Sequence, residues 1–295
     1  SSINYYGVGN AVPRGLPGGP DPNGDQKDFY HYERAEMMLR AMFSHDFSAH
    51  VRLNAGIQTS YVKMSVPEDS LLAIQAREGT PEQRRLLSGV RDHFIHAFVW
   101  GLEFDTRDDE VNPSSGTFSN ANFTFAPGGT GEFAETWFRS SIAARGYLDL
   151  YRKRLVLAGR VVSETLFGTP PIYELSRFDN FSNAFGGEKG VRGIEAQRYY
   201  GKVKLLGNVE LRERLFDFHL VGKNAILLTQ FFDFGRLWAD FGASDELDGT
   251  DVGLKYSVGG GLRMLFEEAF IVALDVAWSP DAQPVGVYLT SGHAF

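Results

Sequence analysis

The chain has 295 residues, 43% hydrophobic and 14% aromatic, a composition that excludes intrinsic disorder. A net charge of −8 with no basic stripe argues against nucleic-acid binding, and the lack of cysteine excludes disulfide scaffolds and thiolate metal sites. No apolar run reaches the ~18 residues of a membrane helix, but a mean hydropathy of −0.21 does not exclude a membrane barrel, whose strands alternate apolar and polar residues.

The chain opens "SSINYYGVGN", with neither the basic nor the apolar region of a signal peptide, so any such peptide is expected to have been removed. From residue 28 onward the dominant period is two. Eleven strands are expected, at 28–43, 47–64, 93–105, 116–125, 133–148, 152–166, 198–216, 225–238, 254–266, 269–279 and 284–295, with a twelfth in "INYYGVGN". In the second, Val51, Leu53, Ala55, Ile57 and Tyr61 oppose Arg52, Asn54, Gln58 and Ser60. In the tenth, Phe270, Val272, Leu274, Val276 and Trp278 oppose Ala273, Asp275 and Ala277.

These segments exceed the ~5–6 residues usual for globular strands. Their apolar faces are bulky and aromatic, which suits lipid, while their polar faces mix small residues with charges, which suits a wet lumen. Unpaired sheet edges are costly in hydrocarbon, so the sheet is expected to close. The expected fold is all-β, a transmembrane antiparallel barrel of 12 to 16 strands forming one domain over 1–295. Connections alternate between short turns ("SHD" at 44–46, "DLYR" at 149–152, "LVGKN" at 220–224, "EE" at 267–268) and long loops (11–27, 65–92, 167–197, 239–253). Two break the parity: 106–116 is long for its side and 126–132 is short. The loop "PEDSLLAIQAREGTPEQRRLLSG" carries two helix-start signals, at Pro67-Glu68-Asp69 and Thr80-Pro81-Glu82.

Several motifs resemble one family. "GVRGI" (190–194) in a Gly-rich loop looks like the VRGF-type loop tip of the BamA/TamA superfamily of outer-membrane assembly barrels. Five strands follow it, the number that family has there. "FFDFGRLW" (231–238) resembles the family's Asp-x-Gly strand, and "DTRDDEVNPSSG" (105–116) its Asp-Thr-Arg-Asp turn. "VYLTSGHAF", ending at Phe295 and including Tyr288 and His293, is similar to the terminal-strand assembly signal of outer-membrane barrels.

The resemblance implies that the loop folds into the lumen and that Arg192, between Val191 and Gly193, meets Glu210 and Asp233. The chemistry of the residues agrees. Alternation points both carboxylates away from lipid, and a guanidinium can bridge two carboxylates with directed hydrogen bonds. Ile194 departs from the family, which usually carries an aromatic there. The family has sixteen strands, so either twelve strands are complete here or the first four lie upstream. No periplasmic polypeptide-transport (POTRA) domain is present in this sequence.

Catalytic motifs are absent: there is no Gly-x-Ser-x-Gly, no His-Glu-x-x-His and no P-loop. His93 and His96 fall on opposite faces of a strand and cannot share a metal, while Ser291 and His293 share the expected outward face. No enzyme activity, metal or cofactor is expected. The resemblance implies an integral, multi-pass barrel in the outer membrane of a Gram-negative-type bacterium. The same resemblance implies that it inserts outer-membrane proteins or translocates polypeptides, with outer-membrane lipids, client proteins and envelope partner subunits as expected partners. The competing readings are an anchor for an upstream passenger domain, and a passive pore or structural subunit.

Overall fold

A computed structural model describes residues 2–12, 29–128, 135–178, 181–219, 222–267, 269–281 and 285–295. Twelve strands form one antiparallel sheet in sequence order. They are β1 (Ser2–Asn4), β2 (His31–Ser48), β3 (Val51–Ser65), β4 (His93–Asp105), β5 (Gly116–Ala126), β6 (Trp137–Tyr151), β7 (Leu155–Gly168), β10 (Val203–His219), β11 (Lys223–Trp238), β12 (Lys255–Phe266), β13 (Phe270–Trp278) and β14 (Gly286–Ser291). A separate small hairpin, β8 (Arg177–Phe178) and β9 (Phe181–Ala184), lies in the connection between β7 and β10.

Alternation sets which face each side chain takes. On β4 the inward His93, Ile95, Ala97 and Val99 are buried, while Phe94, Phe98, Trp100, Leu102 and Phe104 face outward. Outward aromatics form a belt: Trp100, Phe123, Phe138, Phe167 and Phe241 follow one another with ring centroids 5.4–6.2 Å apart. Such a girdle marks a membrane–water interface. No helix among the described residues is long and apolar enough to cross a membrane, which says nothing about strands.

Two of the short turns fall later than the sequence suggests. β2 runs through "SHD", and the chain reverses at Ala49 and His50. The β6–β7 hairpin turns after Tyr151, with Arg152 (φ 46°) and Lys153 (φ 58°) both left-handed. Two consecutive positive φ angles match the twist of a tight hairpin, but without Asn or Gly there the turn carries no sequence signal. Of "INYYGVGN" only the start is strand: Tyr5, Tyr6 and Val8 are buried, and Gly9 bridges to Tyr200. The expected loop at 11–27 lies, beyond Val12, outside the described residues.

The lumen is filled from the long-loop end. Helices α1 (Leu71–Glu78) and α2 (Pro81–Leu86) start on the caps Ser70 and Thr80, the second with a full capping box. Their Leu72 and Leu86 join Tyr5, Tyr32, Ile172, Tyr173 and Tyr200 in one buried cluster. Below it, Phe185, Val191, Ile194 and Tyr199 of the β9–β10 loop pack against wall residues Val162, Leu206 and Leu237.

One edge stands apart. β1 pairs only with His31–Glu33, so among the described residues no strand covers the outer edge of β2 from Arg34 to Ser48.

Candidate functional site

Glycine turns the β9–β10 loop back into the lumen. Gly187 (φ +89°) and Gly193 (φ +88°) adopt the left-handed backbone that other residues rarely take. Gly187 N donates to Ile194 O (2.9 Å) and Val191 N to Phe185 O (2.8 Å), closing a compact tip. Val191 and Ile194 are fully buried, so an aliphatic residue does the packing where the family usually has an aromatic.

Arg192 at the tip is fully buried, and a buried charge requires paired, directed partners. Its Nε and Nη2 donate to the two oxygens of Asp233 at 2.8 and 2.9 Å, the fork geometry that favours arginine. Nη1 donates to Glu210 at 2.8 Å and to Asp275 at 3.2 Å. The Arg192 backbone N–H also donates to Asp233, at 3.1 Å. Beneath the guanidinium lies the Phe231 ring, 3.4 Å from its central carbon, adding a cation–π contact.

Each carboxylate is held from the wall as well. Arg212 Nε donates to Glu210 at 2.9 Å, and Arg263 Nη2 to Asp275 at 3.0 Å. Three guanidiniums therefore face three carboxylates in one dry layer. Asn208 extends it, donating to Asp233 (2.8 Å) and to Gly190 O (2.9 Å) while accepting from Arg160 Nη2 (2.7 Å). The layer joins the loop to β7, β10, β11, β12 and β13.

Val191, Arg192, Gly193, Glu210 and Asp233 thus meet at one place. Asp275, Phe231 and Asn208 complete the layer and were not singled out in the sequence. Alternation had placed Asp275 on the inward face; its nearness to Arg192 arises only when the sheet curls.

The chain departs from the expected strand only after Ser291. Tyr288 faces inward, and its hydroxyl accepts from Gly193 N at 2.8 Å. The final strand stops at Ser291 because Gly292 (φ +83°) turns the backbone out of the pleat. His293, expected outward beside Ser291, is instead turned inward, with Nε2 3.0 Å from Asn112 Oδ1. Phe295 also lies inward, its ring 5.0 and 5.2 Å from the guanidinium carbons of Arg160 and Arg212.

Asn112 belongs to the connection between β4 and β5, whose fold depends on Asp108. That carboxylate accepts from Ser114 N (2.8 Å), Ser115 N (3.0 Å), Ser114 Oγ (2.6 Å) and Lys153 Nζ (2.8 Å). Burial pushes its pKa up, but the hydrogen bonds from Lys153 and the serines outweigh burial and hold it well below the usual carboxylate range. The length that broke the turn parity is therefore used to bring Asn112 under the lumen.

The loop tip also touches both flanks of the seam between the first and last strands. Glu195 accepts from Asn4 Nδ2 (3.0 Å) and Tyr6 OH (3.0 Å) on the first flank, while Gly193 meets Tyr288 on the last.

A family model described as the Omp85 superfamily domain matches residues 7–295. No curated protein matches the chain. The fold is similar to the crystal structure of BamA from Haemophilus ducreyi lacking POTRA domains 1-3, with a TM-score of 0.61 and 12% identity over 91% of this chain. The match covers 55% of that structure, so this chain spans about half its length.

Proposed function

This chain belongs to the Omp85 superfamily of outer-membrane barrels, and from that premise we propose that it inserts outer-membrane proteins or passes polypeptides across the outer membrane of a Gram-negative-type bacterium. Its partners in this reading are the surrounding lipids, client barrels and envelope subunits that deliver them. One observation carries the reading: the re-entrant loop is fixed by Arg192 to the wall and, one and three residues later, touches both flanks of an incompletely paired seam. A loop so placed can set how readily the seam opens to a client strand, which would add to the exposed edge. The filled lumen supports this over a passive pore, because apolar side chains and a dry ionic layer occupy the channel.

The test is insertion into liposomes. A urea-unfolded outer-membrane barrel is added to vesicles with and without this protein, and its protease-protected, heat-resistant form is followed in time. Faster folding with the protein is expected, with loss of the gain in Arg192→Ala. Equal rates with and without it would exclude assembly by this chain alone.

A further inference from the structure

Three arginines gather in a recess of about 470 Å³ on the long-loop rim of the wall. Arg84 and Arg85 come from the last turn of α2, and Arg91 from the segment leading into β4. Glu135, just before β6, Thr169, just after β7, and the buried His93 also line it. All three arginines are exposed, on a chain whose net charge is −8. The carboxylates nearest to them are engaged elsewhere. Asp92 accepts from Tyr61 OH (3.1 Å) and Met64 N (2.9 Å) on β3, and Glu82 from Ser244 N (3.1 Å). Asp240 accepts from Arg85 (2.9 Å) and also from Lys202 (3.0 Å), so it answers two cations. Among the described residues Arg84 and Arg91 form no ion pair, and Glu135 is the one carboxylate in the lining.

Height decides what these charges meet. On three strands the recess lies two or three residues beyond an outward aromatic: Arg91 beyond Phe94, Glu135 beyond Phe138 and Thr169 beyond Phe167. Phe138 and Phe167 belong to the outward belt, and Phe94 faces outward beside Tyr61. Three residues of strand span ~10 Å, or roughly 8 Å along the membrane normal at the ~40° tilt of a barrel strand. The headgroup layer is about 5–8 Å deep on each side of the hydrocarbon. The arginines therefore stand at the level of the headgroups, directly above wall that faces acyl chains.

An exposed guanidinium at that height is drawn to anionic headgroups, and its planar fork matches the oxygens of a phosphate. We infer that the recess holds the phosphate of an anionic lipid from the leaflet on the long-loop side. Arg84 and Arg91 make the principal contacts, with Arg85, already shared with Asp240, at the edge. The acyl chains of the same lipid lie down the outer wall over Phe94, Phe138 and Phe167. A free anion would use the arginines but not the aromatics beneath them, which favours the lipid. So held, the lipid ties α2 to the rim of β4, β6 and β7, whatever passes through the lumen or the seam.

The experiment titrates the purified protein in detergent with dimyristoyl phosphatidic acid, and in parallel with the matched phosphatidylcholine, and counts bound lipid by native mass spectrometry. Saturable binding of phosphatidic acid is expected, with phosphatidylcholine much weaker. Each arginine beside a lipid phosphate adds about fivefold to the affinity, so combining Arg84→Gln with Arg91→Gln should weaken phosphatidic acid by about tenfold or more. Both side chains are exposed, and heat resistance on gels checks that the double variant folds. Arg77→Gln, which removes an exposed charge of α1 outside the recess, should leave binding unchanged. Undiminished binding in the double variant overturns the inference. So does equal binding of the two lipids, or an equal loss in Arg77→Gln. Displacement of phosphatidic acid by millimolar inorganic phosphate would assign the recess to a free anion instead.

Discussion

Arg192 is buried where a lone charge would be prohibitive, and its worth lies in what its removal leaves behind. Without it, Asp233 loses its direct ion pair among the described residues, while Glu210 and Asp275 keep Arg212 and Arg263 in the same dry layer. Removing one partner of a buried pair costs about 3–5 kcal/mol, because the remaining charge stays desolvated. Arg192→Ala should therefore lower the temperature at which the barrel loses its compact, heat-resistant form on gels, while insertion persists because the wall's backbone ladder is untouched. Arg192→Lys should recover only part of the loss: an ammonium cannot bind both oxygens of Asp233 and reach Glu210 and Asp275 as a planar fork does. Full recovery by lysine, or an unchanged transition in the alanine variant, would refute the locking role. The arginine and two of its carboxylates were legible through the family resemblance of the loop and strand motifs, and alternation agreed by turning both carboxylates away from lipid. Phe231 was not, since an aromatic at an inward position looks like an error in the pattern until the guanidinium above it is seen.

At the scale of elements, alternation located nearly every strand. β4 and β12 run within a residue of expectation because their apolar faces are unbroken and turn residues flank them. What failed was punctuation. Arg152-Lys153 makes a left-handed turn without turn residues, and Gly292 ends the last strand where a single glycine reads as a mere interruption. The connection after β4 is the element most open to pH. Asp108 has a folded pKa below its unfolded value, so its contribution is complete above the ordinary carboxylate pKa of ~3.9 and is lost as pH falls through the folded value. Below about pH 4 the connection should progressively release and become cleavable by pepsin. Asp108→Asn should expose it to neutral proteases at pH 7, where the wild type resists them. Resistance in the variant at pH 7 would show that the loop's shape does not depend on this carboxylate.

For the whole molecule the question is what joins the two ends of the sheet. Strand pairing is continuous from β1 to β14, and among the described residues no backbone ladder joins these two end strands to each other. Side chains and backbone of the loop tip bridge them instead, Glu195 holding Asn4 and Tyr6 while Gly193 holds Tyr288. These are few hydrogen bonds, each worth about 1 kcal/mol net and more to a charged acceptor, so these contacts between the two end strands should open at less cost than a strand ladder. Arg192 sits beside the two grips, and the same tip is thereby anchored to the rigid strands β10, β11 and β13. The arrangement predicts a local effect. Combining Glu195→Ala with Tyr288→Phe removes both grips and leaves the buried ionic layer intact. Amide hydrogen exchange in detergent should then quicken in β1, the facing end of β2 and β14, with β10 and β11 unchanged. Arg192→Ala should quicken exchange in β10 and β11 as well, because the wall loses its central counter-charge. If the double variant exchanged uniformly faster, the seam would be no weaker than the rest of the barrel. If β14 stayed protected, its pairing with β13 alone would suffice, and the loop tip would have no part in controlling the opening.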